Sequence, residues 1–222
     1  MGVTRLAPSP TGALHLGNAR TFLINWAMAR QRSWKIVLRI EDLDGPRIKA
    51  DATESTIDIL RALGIDWDEG PIVQSHHLWP YEGAMRSLAS RGLIYPSDLS
   101  RAQIEAAASA PQENDATIDG VSGTGEIRFP PELRPTLLPQ EFDDPNTNWR
   151  FAVPDRAVEF TDEFAGAQRT RPIDTIGDFV IWTKRGTPSY QLAVVVDDHR
   201  QGVTHIVRGD DLLDSAARQL LL

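Results

Sequence analysis

The chain has 222 residues, with 23 Lys and Arg against 31 Asp and Glu, a formal net charge of −8, and 41% hydrophobic content. This is ordinary globular composition, long enough to bury a core, and the acidic balance argues against a surface that binds polyanions indiscriminately. Cysteine is absent, which excludes disulfides and thiolate metal sites. The five histidines show no His-Glu-x-x-His spacing, so no zinc is expected. No apolar run approaches the ~18 residues of a membrane span, and the first residues carry no leader pattern. A cytoplasmic protein with no membrane partner is expected.

Val3 to Ala7 reads as a short strand, stopped by Pro8-Ser9-Pro10-Thr11-Gly12, because two prolines and a glycine in five residues enforce an extended turn. A helical pattern starts at Asn18, with Phe22, Leu23, Trp26 and Ala27 on one face, and Lys35 to Ile40 is a second, mostly apolar strand. Strand, turn, helix and strand in this order open a parallel α/β unit. Asp51 with Glu54 predicts a capping box and a helix that stops at Gly64. A further helix is expected over about His77 to Arg91, and Ser100 with Gln103 predicts a second capping box opening an Ala-rich helix to Ala108.

Residues 109–126 are polar and Gly/Pro-rich, and read as a mobile loop. Short strands are expected at Trp149 to Val153 and Ala157 to Phe160, within a small insertion. Further strands are expected at Asp178 to Thr183, Tyr190 to Val196 and Thr204 to Arg208, and a helix from Ser215 to Leu222. The organisation is thus residues 1–94 as the first half of a catalytic-type domain, 95–172 as an insertion, and 173–222 as the second half.

The chemistry concentrates first in Pro8-Ser9-Pro10-Thr11-Gly12-Ala13-Leu14-His15-Leu16-Gly17-Asn18. A strand ends and a helix begins here, and helix N-termini present free N–H groups and partial positive charge to a phosphate. Gly17 allows a flat ring or ribose to approach the backbone, and His15 can donate to charge developing on a phosphoryl oxygen. The plainer alternative is that His15 caps the helix and Gly17 relieves packing.

Arg5-Leu6-Ala7-Pro8-Ser9-Pro10-Thr11-Gly12 followed by His15-Leu16-Gly17-Asn18 resembles the signature of class I aminoacyl-tRNA synthetases, in the glutamyl form. Arg39-Ile40-Glu41-Asp42-Leu43-Asp44 is similar to that family's R-I-E-D-x-D block. Tyr190-Gln191-Leu192-Ala193-Val194-Val195-Val196-Asp197-Asp198, and then Thr204-His205-Ile206-Val207-Arg208-Gly209-Asp210-Asp211-Leu212-Leu213-Asp214-Ser215, are similar to its later catalytic-domain strands. Within the family the wording is nearest to the short glutamyl-queuosine tRNA(Asp) synthetase group. The resemblance implies an α/β fold: a Rossmann-type class I synthetase catalytic domain with a small inserted subdomain that resembles an acceptor-binding one. It also implies ATP with Mg²⁺, L-glutamate and tRNA(Asp) carrying queuosine as partners, and a monomer. The implied reaction forms glutamyl-adenylate and then transfers the glutamyl group to RNA.

Glutamate has two carboxylates and one ammonium, so its pocket needs cations and an anion. Arg5 and Arg208 are the expected carboxylate partners, Glu41 the ammonium partner, and Ser9 and Tyr190 the neutral hydrogen-bonding groups. Pro8, His15, Gly17 and Asn18 are the expected ATP-binding residues, with His15, Gly17 and Asn18 stabilising the reacting phosphate.

Two departures accompany the resemblance. The segment Tyr95-Pro96-Ser97-Asp98 stands where many members carry a cysteine-rich zinc site, so zinc is expected to be absent. The family's K-M-S-K-S-type loop is expected beyond a helix like Ser215 to Leu222, and the last lysine here is Lys184. A shortened product, or a chain that adenylates inefficiently, is therefore expected. Two other functions stay open: the catalytic part of a standard glutamyl-tRNA synthetase, and a non-catalytic glutamate- or nucleotide-binding paralogue.

Overall fold

The computed structural model describes residues 1–11, 16–45, 48, 51–108 and 127–222. His15 and the expected mobile loop 109–126 lie outside the described residues. The first part of the chain runs β1 (Val3–Leu6), α1 (Leu16–Gln31), β2 (Lys35–Ile40), α2 (Ala52–Ala62), β3 (Glu69–Val73), α3 (Trp79–Ser90), β4 (Ile94–Pro96) and α4 (Arg101–Ala108). It continues through β5 (Trp149–Phe151), β6 (Val158–Asp162), β7 (Gly166–Thr170), α5 (Pro172–Thr175), β8 (Phe179–Thr183), β9 (Thr187–Pro188), α6 (Tyr190–Arg200) and α7 (Leu213–Leu221). The residues pack into two compact units, one of Met1–Pro80 with Ala193–Leu213, the other of Tyr81–Leu192 with Asp214–Leu222.

In the first unit β1, β2 and β3 form a parallel sheet in that order. Successive strand side chains point to opposite faces, and the register Thr4↔Ile36, Arg5↔Val37, Leu6↔Leu38 sorts them. One face carries Leu6, Ile36, Leu38 and Ile40, which join Ala29, Trp34, Leu60 and Ile65 in a buried core. Phe22 and Trp26 of α1 and Ile57 of α2 pack against that core. The opposite face carries Arg5, Val37 and Arg39. β3 was not expected from the sequence: Glu69-Gly70-Pro71 looks like turn material, and the register slips between Val37 and Arg39. Gly70 adopts φ +102, and a Cβ there would lie 2.3 Å from the Leu38 carbonyl oxygen, so only glycine fits beside β2.

The second unit holds an antiparallel sheet β4-β5-β8-β9 and the hairpin β6-β7. Tyr95, Ile104, Phe129 and Ala152 form a core there, and Phe142 meets Trp149 and Trp182 edge-on. The Ser100–Gln103 capping box is present: Gln103 Oε1 accepts from the Ser100 N–H at 2.9 Å and its hydroxyl at 2.8 Å. The capping box expected at Asp51 is not. Asp51 has φ 64 and makes no side-chain cap, because a left-handed residue aims its side chain away from the helix start.

Two expected strands are corrected. Tyr190 to Val196 lies in helix α6, where Gln191, Leu192, Ala193, Val194 and Asp197 are buried. Three consecutive valines suggest strand, but packing overrides that propensity, and the real stop signals are His199 and Arg200 in the last turn and left-handed Gly202. Thr204 to Arg208 is irregular. The N–H groups of Thr204 and His205 both reach the Val3 carbonyl, at 2.9 and 3.0 Å, while the Val3 N–H goes to the Thr204 hydroxyl at 2.9 Å. A side chain has taken the place of the backbone acceptor that a ladder needs.

Candidate functional site

Because β1 and β2 are parallel, the loops that follow them leave the same edge of the sheet, where open α/β sheets bind ligands. The Glu41 N–H donates to the Pro8 carbonyl at 3.0 Å, which ties the two loops together just past the strand ends. Pro8 is buried and Ser9 exposed. Asp42, next in the loop, accepts from the N–H of Ser75 at 2.9 Å and from its hydroxyl, fixing the turn after β3 to the same edge.

Arg39 is the last residue but one of β2, the lone charge within the apolar run Ile36–Ile40, and is fully buried. A charge in that position has to be paired, and it is. Its Nε and Nη2 donate to Glu41 Oε1 at 3.3 and 3.2 Å. Its Nη1 donates to Asp198 Oδ1 at 2.8 Å and to Gln201 Oε1 at 2.9 Å. Asp198 Oδ1 also accepts from Arg5 Nε at 3.3 Å. Asp197, in the same turn of α6, accepts from Gln74 Nε2 at 2.8 Å and pairs with Arg200 at 3.5 Å. The result is an alternating line, Glu41–Arg39–Asp198–Arg5, on one face of the sheet.

Glu41 is the uneven member. Only its Oε1 is engaged by a side chain, at long distances, and among the described residues no hydrogen bond reaches Oε2. Burial pushes its carboxyl above the usual range, and the nearby Arg39 and Arg5 charges only partly offset this. For Arg39 burial acts downward, but Glu41, Asp198 and Asp197 together outweigh it and hold the guanidinium above its ordinary value. A second cation placed at Glu41 would add opposite charge to this acid.

The helix start after β1 meets the expectation for a nucleotide phosphate in one respect: the first turn of α1 contains no acidic residue. Gly17 and Asn18 stand in that turn, both exposed, and the Thr21 hydroxyl donates to the Gly17 carbonyl at 3.2 Å. His15, the nucleotide-facing residue expected from sequence, lies outside the described residues.

Of the expected amino-acid-binding residues, the structure brings Arg5 and Glu41 together. Arg208 lies partly buried on the irregular segment after α6, not on a strand as expected. Its segment is held to β1 through Thr204 and by stacking of His205 on Trp34 at 3.9 Å. Tyr190 begins α6, is 40% exposed, and belongs to the second unit. No short motif in the sequence gives a role to Arg39, Asp198, Asp197, Gln74 or Gln201. The signal for Arg39 was a lone charge within Ile36–Ile40; its partners lie too far along the chain to be found by spacing. Among the described residues, no group of three or more His, Asp or Glu is placed to hold a metal ion.

Comparison with known proteins decides the family. Residues 2–222 match the catalytic domain of the class I tRNA synthetases for E and Q. The chain belongs to that family. It is 47% identical to a glutamyl-Q tRNA(Asp) synthetase of Symbiobacterium thermophilum over 98% of the chain, which spans 68% of that relative. Another glutamyl-Q tRNA(Asp) synthetase, from Rhodopirellula baltica, is 46% identical over 99% of the chain and is likewise spanned to 68%. Among solved structures, the fold matches a glutamate tRNA ligase from Elizabethkingia meningosepticum with a TM-score of 0.79 at 24% identity, covering 99% of this chain and 46% of that one. The fold is thus the Rossmann-like catalytic domain of class I synthetases. In a class I synthetase ATP and Mg²⁺ are the general requirement, and the acid-free start of α1 is compatible with the nucleotide. Among the described residues no helix is long and apolar enough to cross a membrane.

Proposed function

We propose that this chain activates L-glutamate with ATP and transfers the glutamyl group to the queuosine base of tRNA(Asp). The observation that carries the amino-acid part is Glu41, a largely buried carboxylate with one oxygen not used by Arg39, beside Arg5. Support for the RNA part comes from the relatives named above, which match nearly the whole chain.

Glu41 takes the ammonium of glutamate, Arg5 and Arg208 its carboxylates, and Ser9 orients it. A pocket of buried charges discriminates better than an apolar one, because a wrong ligand leaves those charges unpaired. Pro8, Gly17, Asn18 and His15 hold the nucleotide, and Mg²⁺ accompanies its phosphates. An oxygen of the glutamate α-carboxylate attacks the α-phosphorus of ATP and pyrophosphate leaves; a nucleophile of the queuosine base then attacks the acyl carbon and AMP leaves. The chain's own contribution is positioning and charge stabilisation. Residues 95–172 form the inserted subdomain of this reading, and the protein acts as a cytoplasmic monomer without zinc.

Glutamate-dependent ATP–pyrophosphate exchange in the absence of RNA tests the proposal. Exchange with glutamate, and not with aspartate or glutamine, is the expected result. Exchange that appears only on adding tRNA(Glu) points instead to a standard glutamyl-tRNA synthetase. Glutamate binding with no exchange under either condition leaves a binding paralogue as the reading.

A further inference from the structure

Among the described residues of the first unit, Arg39 is the most deeply buried cation, with none of its surface exposed. Its five-donor fork is planar and rigid, and the structure uses its two ends differently: Nε and Nη2 hold Glu41, and Nη1 holds Asp198 and Gln201. Asp198 in turn holds Arg5. The side chain expected to meet an ammonium and the one expected to meet a carboxylate are thus connected through one guanidinium and one carboxylate. Arg5 lies on β1, and Glu41 directly follows the neighbouring β2.

We propose that Arg39 is a positioning residue for amino-acid recognition: through Asp198 it sets the separation between Glu41 and Arg5, and so the spacing of ammonium and carboxylate that the pocket accepts. This deepens the glutamate reading above and rests on it. A lysine at position 39 keeps the charge but has a single nitrogen, which cannot hold Glu41 and Asp198 at once from opposite ends of a plane.

The test is calorimetric titration of the full chain and its variants with L-glutamate and, separately, with a non-hydrolysable ATP analogue. Arg39→Lys is expected to weaken glutamate binding by about tenfold or more, equivalent to about 1.4 kcal/mol, while the ATP analogue changes by less than about twofold. Asp198→Asn reaches the same line from its other end and serves if Arg39→Lys does not fold. It should show the same split, and the double variant should lose less than the sum of the two. Equal weakening of both ligands means Arg39 only supports the fold and overturns the inference, as does unchanged glutamate affinity. Failure of the unsubstituted chain to bind glutamate at all is a different result, and removes the glutamate reading itself.

Discussion

Two acids of this protein lie beside arginines, the largely buried Glu41 in the first unit and the fully buried Asp178 in the second, and their environments differ in how completely each acid is paired. Asp178 is 1% exposed and both its oxygens are used. Oδ2 accepts from the Tyr95 hydroxyl at 2.6 Å and from Arg134 Nε at 2.7 Å, while Oδ1 accepts from Arg134 Nη2 and from the Val153 N–H at 2.9 Å. Burial and this bond push the Tyr95 hydroxyl far above its ordinary value, and the hydrogen bonds to Asp178 hold Arg134 charged. Arg150, by contrast, is drawn downward by burial, and it donates to the Asp178 carbonyl at 2.7 Å and lies 4.2 Å over the Phe129 ring. Every lone pair of this acid that points inward has a donor, so the arrangement is closed. Glu41 has one oxygen engaged at 3.2–3.3 Å and the other without a hydrogen bond among the described residues. A buried acid whose oxygens are all paired supports the fold, whereas an acid with an oxygen left over can still accept a donor.

Substitution breaks this comparison most forcefully at the closed acid. Asp178→Ala leaves Arg134 and the Tyr95 hydroxyl without their acceptor and is expected to cost about 3–5 kcal/mol, a fall of roughly 10 °C in melting temperature for a chain of this size. Scanning calorimetry or a circular-dichroism melt reads it.

Glu41→Gln should behave in the opposite way. The folded-state pKa of Glu41 lies above its unfolded value, so the proton favours the fold and the ionised form is held at a cost. Glutamine still offers an oxygen to Arg39. The melting temperature at neutral pH is therefore expected to stay within about 2 °C of the parent, while glutamate affinity falls by about tenfold or more. The same reasoning sets a pH dependence. An ammonium binds the ionised form of Glu41, so affinity in the parent should rise as pH is raised through the elevated value of the free protein and then level off, with a proton released on binding at the lower pH. Isothermal titration across pH checks this, and Glu41→Gln should remove that limb. A melting loss like that of Asp178→Ala would erase the distinction between the two acids.

Ser100→Ala supplies the baseline. Its capping box with Gln103 is well formed but exposed, so the expected loss is about 0.5–1 kcal/mol, read by a denaturant midpoint. A loss as large as that of Asp178→Ala would mean that burial is not what separates these polar groups.

The opening β1–α1–β2 unit was legible because its signals are local: alternating apolar residues, a Pro-Ser-Pro turn and the run Lys35–Ile40. Glu41 and Arg5 stand out as candidates through motifs that span a few residues each. The helix α6 was not, since Val194-Val195-Val196 favours strand in isolation and only the packing of Gln191, Leu192, Ala193 and Val194 makes it helical. Nor was β3, whose Gly70-Pro71 pair reads as a turn until the approach to Leu38 is known. Arg39 could be flagged as a charge needing a partner, but Asp198 is 159 residues away, and no spacing rule reaches that far. Arg208 was placed on a strand because its neighbours are β-formers, whereas the hydroxyl of Thr204 had already claimed the donor on which a strand would have grown.

The bond from the Glu41 N–H to the Pro8 carbonyl is made by main-chain atoms alone. Side chains in either loop can therefore change without loosening the junction between them; only proline at position 41, which has no N–H, deletes the link outright. Geometry and chemistry are thereby carried by different atoms of the same residues, so the selectivity of the site can be redesigned, or can drift over generations, while the frame that holds it keeps its dimensions.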